Sequence, residues 1–515
     1  MSRVLFLVSV PLCLCVSPSV ILSRPAPATQ STRPTVNLVL FGVLAYVLFQ
    51  FAVGIYVSRR IRTETDYLIA GRSLGYGLAI FTVFATWFGA ETTIGAAGAI
   101  YKDGLSGGTA DPFGYAACLL VMGLVFAVPL WRRELTTLAD LFGQRFSPGV
   151  ERLAVLLMIP TSLLWAAAQI RAFGQVLSAA SGIHVTFMIT VAAVIVIAYT
   201  AVGGLLADAW TDLVQGIALM IGLAVVFWVV LADVGLEPLR QMAPERLRLF
   251  GGPDTPLLAI VEAWAIPVCG SVMAAELVQR IIATRTPQIA RNSTLVAAGM
   301  YLLFGMIPVT LGLMGPALLP GLENPEQILP RIAARYLPGV LYVVFAGALV
   351  SAILSTVDSA LLVASGMLSH NLIVPLRPEM KEEQKVRIAR WGVALFGALA
   401  YVMALYAEGV YALVEEASSF GSAGIFVALS IGLFSRWGGA ASAAASLLAG
   451  VVSWVLGAYV LALAYPYLVS LGAALAAYVA VALVDRRRGD ETNGGAHTET
   501  QSHREKLTSV ARGPA

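Results

Sequence analysis

Apolar runs of about 20 residues recur along almost the whole chain, and this repetition constrains its fold more than any other feature. A run of that length crosses the hydrocarbon core of a bilayer as an α-helix, because each backbone N–H and C=O must find its partner inside the segment. About thirteen such runs follow residue 36. They cover about 37–58, 75–100, 112–131, 152–177, 184–202, 205–231, 256–279, 293–316, 339–369, 387–407, 411–434, 438–460 and 465–484. Composition agrees, with 58% of residues hydrophobic and 12% charged, about half the charge of a soluble domain. The expected fold class is an all-α polytopic membrane protein embedded in lipid. Its net charge of +3 carries little information about partners, since topology places the basic residues, and no nucleic-acid partner is expected.

Loop charge sets the orientation. If the first run enters from outside, the inner loops hold Arg59, Arg60, Arg62, Arg72, Arg132, Arg133, Arg145, Arg152, Arg280, Arg285, Arg291, Arg377, Lys381, Lys385, Arg387, Arg390, Arg436 and Arg486–Arg488. The outer loops hold Lys102, Arg240, Arg246, Arg248, Arg331 and Arg335. This asymmetry, roughly threefold, places the N-terminus outside the cell membrane and the C-terminus in the cytoplasm. Residues 1–35 read as a secretory signal with a polar linker, or as the product of a misassigned start codon. Residues 486–515 read as a disordered tail. Cys13, Cys15, Cys118 and Cys269 lie in apolar segments without metal or disulfide spacing. His184, His370, His497 and His503 fall in loops or the tail and form no cluster.

Two runs carry helix breakers at corresponding places. "ATWFGAETTIGAAG" has Gly89, Gly95 and Gly98 around Glu91, and "AWAIPVCGSVMAAE" has Pro267 and Gly270. They are five runs apart, so runs 2–6 and 7–11 form two five-helix halves. Interrupted helices at matched positions mark the site in transporters built from inverted repeats. Gly and Pro also serve ordinary packing in membrane helices; the matched placement favours the repeat.

The ninth run contains "SAILSTVDSALL", with five polar side chains between Ser351 and Ser359. Ser355 and Thr356 lie three and four residues beyond Ala352, so both hydroxyls flank the Ala352 carbonyl. Three neutral oxygens converge there, the start of a site for a hard cation, which takes several oxygens. Carbonyls of Ala85 and Phe88, at the break in the second run, are candidates for the rest. Spacing alone favours a different use, hydroxyls bonding back to their own helix. Asp358 and Asp212 add acids in membrane segments, where a functional role is the default. For Asp208 and Asp212 a solvated place at the helix start is the alternative. Glu91 serves as a counter-charge, as a cap for helix amides, or as a protonated acid. Arg171 is expected to snorkel, Glu276 and Arg280 to act as gating or positioning charges, and Glu415 and Glu416 to be solvated.

These segments resemble the sodium:solute symporter family. The motifs are "DYLIAGRSLG", "ATWFGAETTIGAAGAIY", "AYTAVGGLLADAWTDLVQ", "ELVQRIIATRTPQIA" and "SAILSTVDSALLVAS", in order between about residues 37 and 436. The resemblance implies about 13 helices around a five-plus-five inverted-repeat core of the leucine-transporter (LeuT) type. The first helix and its loop would occupy 36–74, the core 75–436 (repeats about 75–232 and 255–436) and two further helices 437–485. It implies a sodium site formed by the Ala85, Phe88 and Ala352 carbonyls with the Ser355 and Thr356 hydroxyls. A second cation or proton site would use Asp212, Asp358 and Ser359. "LLWAAAQIRAFG" and "DAWTDLVQ" are nearest to the high-affinity choline transporter subgroup, which implies an aromatic cage around a quaternary amine. Trp87, Tyr115 and Trp165 stand at cage positions, with Glu91 beside them, whereas Ala274 stands where a further aromatic is expected.

The leading expectation is therefore a secondary transporter that couples sodium, its one cofactor, to symport of a small organic solute. The alternatives are a proton-coupled symporter of an amino acid or carboxylate, and a membrane sensor without transport. No phosphate-binding G-x-x-x-x-G-K-[ST] and no H-E-x-x-H motif is present, so an enzyme is not expected.

Overall fold

The computed structural model describes residues 36–59 and 61–485. The expectations for 1–35, Arg60 and 486–515, including Cys13, Cys15, His497 and His503, lie outside the described residues. The described chain is helical, and its only bridge pairs Leu74 with Thr284.

In chain order the helices of about eight residues or more are α1 (Val36–Ser58), α2 (Tyr76–Trp87), α3 (Glu91–Asp103), α4 (Leu105–Trp131), α5 (Pro148–Ser181), α6 (Val185–Val202), α7 (Leu205–Val234), α8 (Leu257–Ser271) and α9 (Ala275–Ile282). Then come α10 (Pro287–Leu318), the short α11 (Ile328–Tyr336), α12 (Gly339–Met367), α13 (Glu382–Tyr406), α14 (Val410–Ser419), α15 (Ser422–Phe434), α16 (Ala440–Val455) and α17 (Pro466–Asp485). Among the described residues, nine helices are long and apolar enough to cross a membrane, or twelve if each of three bent pairs is one span. The shorter apolar helix α6 occupies the fifth expected run.

Two of the bent pairs are the ones whose breakers the sequence shows. α2 and α3 meet at 48°, and α8 and α9 at 45°. The third is a correction: the run 411–434 is not one helix but α14 and α15, bent by 41°. Gly421 at the joint takes φ +67°, a left-handed conformation that ends a helix and that glycine adopts without a Cβ penalty. Several helices also outrun their apolar runs. α10 begins at Pro287, where the Thr286 hydroxyl accepts the Ile289 N–H at 3.2 Å. A Ser/Thr cap followed by proline starts a helix whatever the hydropathy of its first turn.

α12 lies at the centre, packed along α7 and α5. Every residue from Ala348 to Met367 is buried. Lipid therefore never meets its polar side chains, which removes much of their cost. The outside is apolar: Phe41, Leu48, Trp228 and Leu303 are all more than half exposed, as lipid-facing side chains are. α17 docks on α8 through a carboxylate cap, with Glu262 accepting the Tyr467 and Leu468 N–H groups at 2.7 and 2.8 Å.

Candidate functional site

The break between α2 and α3 is held by side chains. In a continuous helix the Ala85 and Thr86 carbonyls would accept the N–H groups of Gly89 and Ala90, four residues on. Here the Gly89 N–H donates to Glu91 Oε1 at 3.3 Å and the Ala90 N–H to Gln169 Oε1 at 2.9 Å. Gln169 Nε2 in turn donates to Glu91 Oε2 at 2.7 Å. Glu91 and Gln169 are both fully buried. Phe88 ends α2 with ψ 70°, which turns its carbonyl out of the helical direction.

The freed carbonyls face α12. Ser355 Oγ lies 2.8 Å from the Ala85 oxygen and 2.9 Å from the Ala352 oxygen. Thr356 Oγ1 lies 3.0 Å from the Thr86 oxygen and 3.1 Å from the Ala352 oxygen. Ala85, Ala352, Ser355 and Thr356 thus come together as expected, and the Thr86 carbonyl, which no spacing in the sequence marks, joins them. Two hydroxyl protons serve four oxygen–oxygen contacts, so at most two are good hydrogen bonds at once. Bonding back within α12 explains the contacts to Ala352 but not those to Ala85 and Thr86. This arrangement fits a hard monovalent cation, toward which both hydroxyls would turn lone pairs.

Asp212, Asp358 and Ser359 take three different partners. Thr82 Oγ1 donates to Asp212 at 2.5 Å, and Thr200 Oγ1 to Asp358 at 2.5 Å. Ser359 meets Asp208 and Arg280. Arg280 is not an inner-loop charge: it is wholly buried, paired with Asp208, and donates through Nε to Thr86 Oγ1 at 2.9 Å. Asp208 is likewise buried rather than solvated. A charge pair this deep shows in sequence only as two unremarkable loop-edge residues. Glu276 is buried and accepts the Ser162 hydroxyl at 2.5 Å. Among the described residues no three His, Cys, Asp or Glu side chains converge as a metal site.

Trp87, Tyr115 and Trp165 form a triangle of rings with centroids 5.9 to 6.3 Å apart, all at most 6% exposed. The Tyr115 and Ser418 hydroxyls are 2.8 Å apart. A cavity of about 600 Å³ opens from the end of the bundle that carries Asp103 and Glu408 and reaches Glu91 and Tyr115. α8 presents Ala263 and Ile266 to it, whereas Ala274 sits at the α8–α9 break and does not line it. Trp264, the aromatic on α8, stacks on Phe250 instead (6.0 Å). Asp111, a second buried acid missed in the sequence because it begins a run, accepts hydroxyl protons from Thr92 (2.9 Å) and Tyr301 (3.0 Å). Neither Glu91 nor Asp111 forms an ion pair with a basic group. Arg171 lines the cavity and reaches the end of α13, donating to the Ala404 carbonyl at 3.1 Å and the Glu408 carbonyl at 3.4 Å. His370 sits between Glu64 (3.2 Å) and Asp140 (3.6 Å), a polar cluster rather than an isolated loop position. Glu415 lines the cavity and Glu416 meets Tyr459.

Residues 71–75, "GRSLG", spell G-x-S-x-G. The hydrolase elbow needs a strand before the serine. Here a short helical stretch precedes Ser73, whose hydroxyl donates to the Ala70 carbonyl at 2.7 Å.

The chain is 27% identical over 412 residues to the high-affinity choline transporter 1 of Caenorhabditis elegans, covering 73% of this chain and 70% of that one. It is 26% identical over 384 residues to the sodium/pantothenate symporter of Escherichia coli, covering 72% and 79%. A structure of a Na+-coupled sialic acid symporter in a substrate-bound outward-open state superposes with TM-score 0.72 at 19% identity, over 87% of this chain and 97% of that one. Such a likeness speaks for the fold, here the five-plus-five transporter core. The sodium:solute symporter family model matches residues 67–450. This chain, a multi-pass membrane protein and secondary transporter rather than an enzyme, belongs to the sodium:solute symporter family.

Proposed function

We propose that the chain couples entry of sodium to uptake of a small organic cation, with a choline-like quaternary amine as the substrate class. One observation carries the sodium assignment: five oxygens from Ala85, Thr86, Ala352, Ser355 and Thr356 converge with only two protons among them. The turned-out Phe88 carbonyl is the sixth candidate ligand. The ion would join α2 to α12 across the break, so its binding and that of solute beside the break favour each other reciprocally.

A cationic solute is supported by the inner end of the cavity. Tyr115 lines it and packs against Trp87 and Trp165 behind it, rings of the kind that suit a quaternary ammonium. Glu91 also lines it without a basic partner, which disfavours a carboxylate solute beside it, while Arg171 on the same wall is turned to the Ala404 and Glu408 carbonyls. Ala274 leaves the cage without a fourth aromatic. The cavity, placed on the outer side by the loop charges, supports an outward-open state with the N-terminus outside and the C-terminus in the cytoplasm. Beside Ser359 and Asp208, Arg280 already supplies positive charge, which argues against a second sodium at Asp212, Asp358 and Ser359 in this state. Uptake of labelled choline into proteoliposomes should respond to an inward sodium gradient and not to a pH gradient alone. Sodium-independent, pH-driven uptake would replace this reading with the proton-coupled one, and sodium-driven uptake of pantothenate or proline but not choline would refute the cationic substrate.

A further inference from the structure

We propose that Gln169, on α5, is a positioning residue for sodium: it prepares the ion's ligands without touching the ion. This rests on the sodium site proposed above and goes beyond it. A carbonyl freed of its helix N–H offers a cation both lone pairs and a free direction of approach, so a site at the end of α2 gains when the next amides are drawn away. The structure shows what draws them. The Ala90 N–H, which would otherwise return to the Thr86 carbonyl, goes to Gln169 Oε1 at 2.9 Å. The Gly89 N–H, which would return to the Ala85 carbonyl, goes to Glu91 Oε1.

The amide of Gln169 works in one orientation. Its Oε1 faces an N–H and its Nε2 faces a carboxylate oxygen of Glu91 at 2.7 Å, so the flipped amide would lose both bonds. The two side chains thus form a closed unit that accepts two backbone protons and holds itself together with a third. Gln169 is wholly buried, so no water stands in for it. Gly89 closes the unit tightly: a Cβ there would lie 2.5 Å from Glu91 Oε2 and from Thr356 Oγ1. The break is therefore made not by glycine's weak helix propensity alone but by a glutamine from the third helix of the same repeat.

The orientation predicts a swap. Gln169→Met keeps the length but offers the Ala90 N–H no acceptor, so that proton is free to return to the Thr86 carbonyl. Gln169→Glu keeps the acceptor but sets two carboxylates against each other. Gln169→Glu combined with Glu91→Gln restores every bond with the same total charge, the donor and acceptor ends exchanged between the helices.

The test is the sodium-dependent rise in melting temperature of the purified full-length protein, titrated with NaCl against KCl at constant ionic strength, so no solute is needed. We expect Gln169→Met to raise half-saturating sodium about tenfold, the scale of one hydrogen bond to a charged centre, and the swapped double variant to return within about twofold of the parent. Parental half-saturation in Gln169→Met would overturn the proposal, as would a swapped variant no better than Gln169→Glu alone. If Gln169→Met does not fold, the comparison of Gln169→Glu with the swapped pair decides. The Ser355→Ala/Thr356→Ala variant run alongside separates the two readings: if it also keeps parental sodium dependence, the sodium site itself is misplaced, whereas if it loses sodium dependence and Gln169→Met does not, only the role of Gln169 falls.

Discussion

Replacing Ser355 and Thr356 together, Ser355→Ala with Thr356→Ala, removes two of the five oxygens that converge between α2 and α12. A contact between a polar group and a charge contributes about 1.5–3 kcal/mol, so two lost ligands cost at least about 3 kcal/mol of ion binding. At about 1.4 kcal/mol per tenfold, half-saturating sodium should rise about a hundredfold or more. Without sodium the change is milder. Each hydroxyl spans two carbonyls with one proton, so only two net hydrogen bonds are lost, about 2 kcal/mol in all. The assay pairs choline uptake with sodium-dependent thermal shift. Ser351→Ala is the control, because that hydroxyl donates to the Gly347 carbonyl at 2.8 Å and meets Tyr46, away from the site. Unchanged half-saturating sodium in the double variant, or an equal shift in Ser351→Ala, would refute the assignment.

Other perturbations test the rest of the site. Gly89→Ala should weaken both stability and sodium response, since its Cβ would meet Thr356 and Glu91 at 2.5 Å; thermal shift with and without sodium reads both. Arg280→Met strands buried Asp208 and should cost about 3–5 kcal/mol, measured as lost melting temperature, with Asp208→Asn in the same chain restoring part of it. Trp165→Ala should weaken choline affinity about tenfold or more through lost cation–π attraction while leaving half-saturating sodium unchanged in uptake assays. Glu262→Ala should cost about 1 kcal/mol of stability by uncapping α17, with uptake kinetics unaltered.

Membrane class, the repeat of apolar runs and the two matched breaks were legible in the chain itself. The reason is local: lipid demands unbroken apolar length, and Gly and Pro act on the helix that contains them. Helical spacing alone brings the Ser355 and Thr356 hydroxyls to the Ala352 carbonyl, but it favours bonding back within the helix; the contacts to Ala85 and Thr86 that go beyond this come from packing. The break at Gly421 escaped notice since a lone glycine in an apolar run reads equally well as packing. Three things depended on chain segments far apart in sequence. Gln169 reaches the break from 78 residues beyond Glu91, Asp208 and Arg280 find each other across 72 residues, and Asp111 meets Tyr301 across 190. No periodicity records such pairs, because a buried polar group is satisfied by whichever helix packing brings to it. The sequence alone thus determined a bundle of membrane helices interrupted at two matched places. Only the tertiary structure decided which carbonyls those interruptions leave free, because that depends on where the displaced amide protons go.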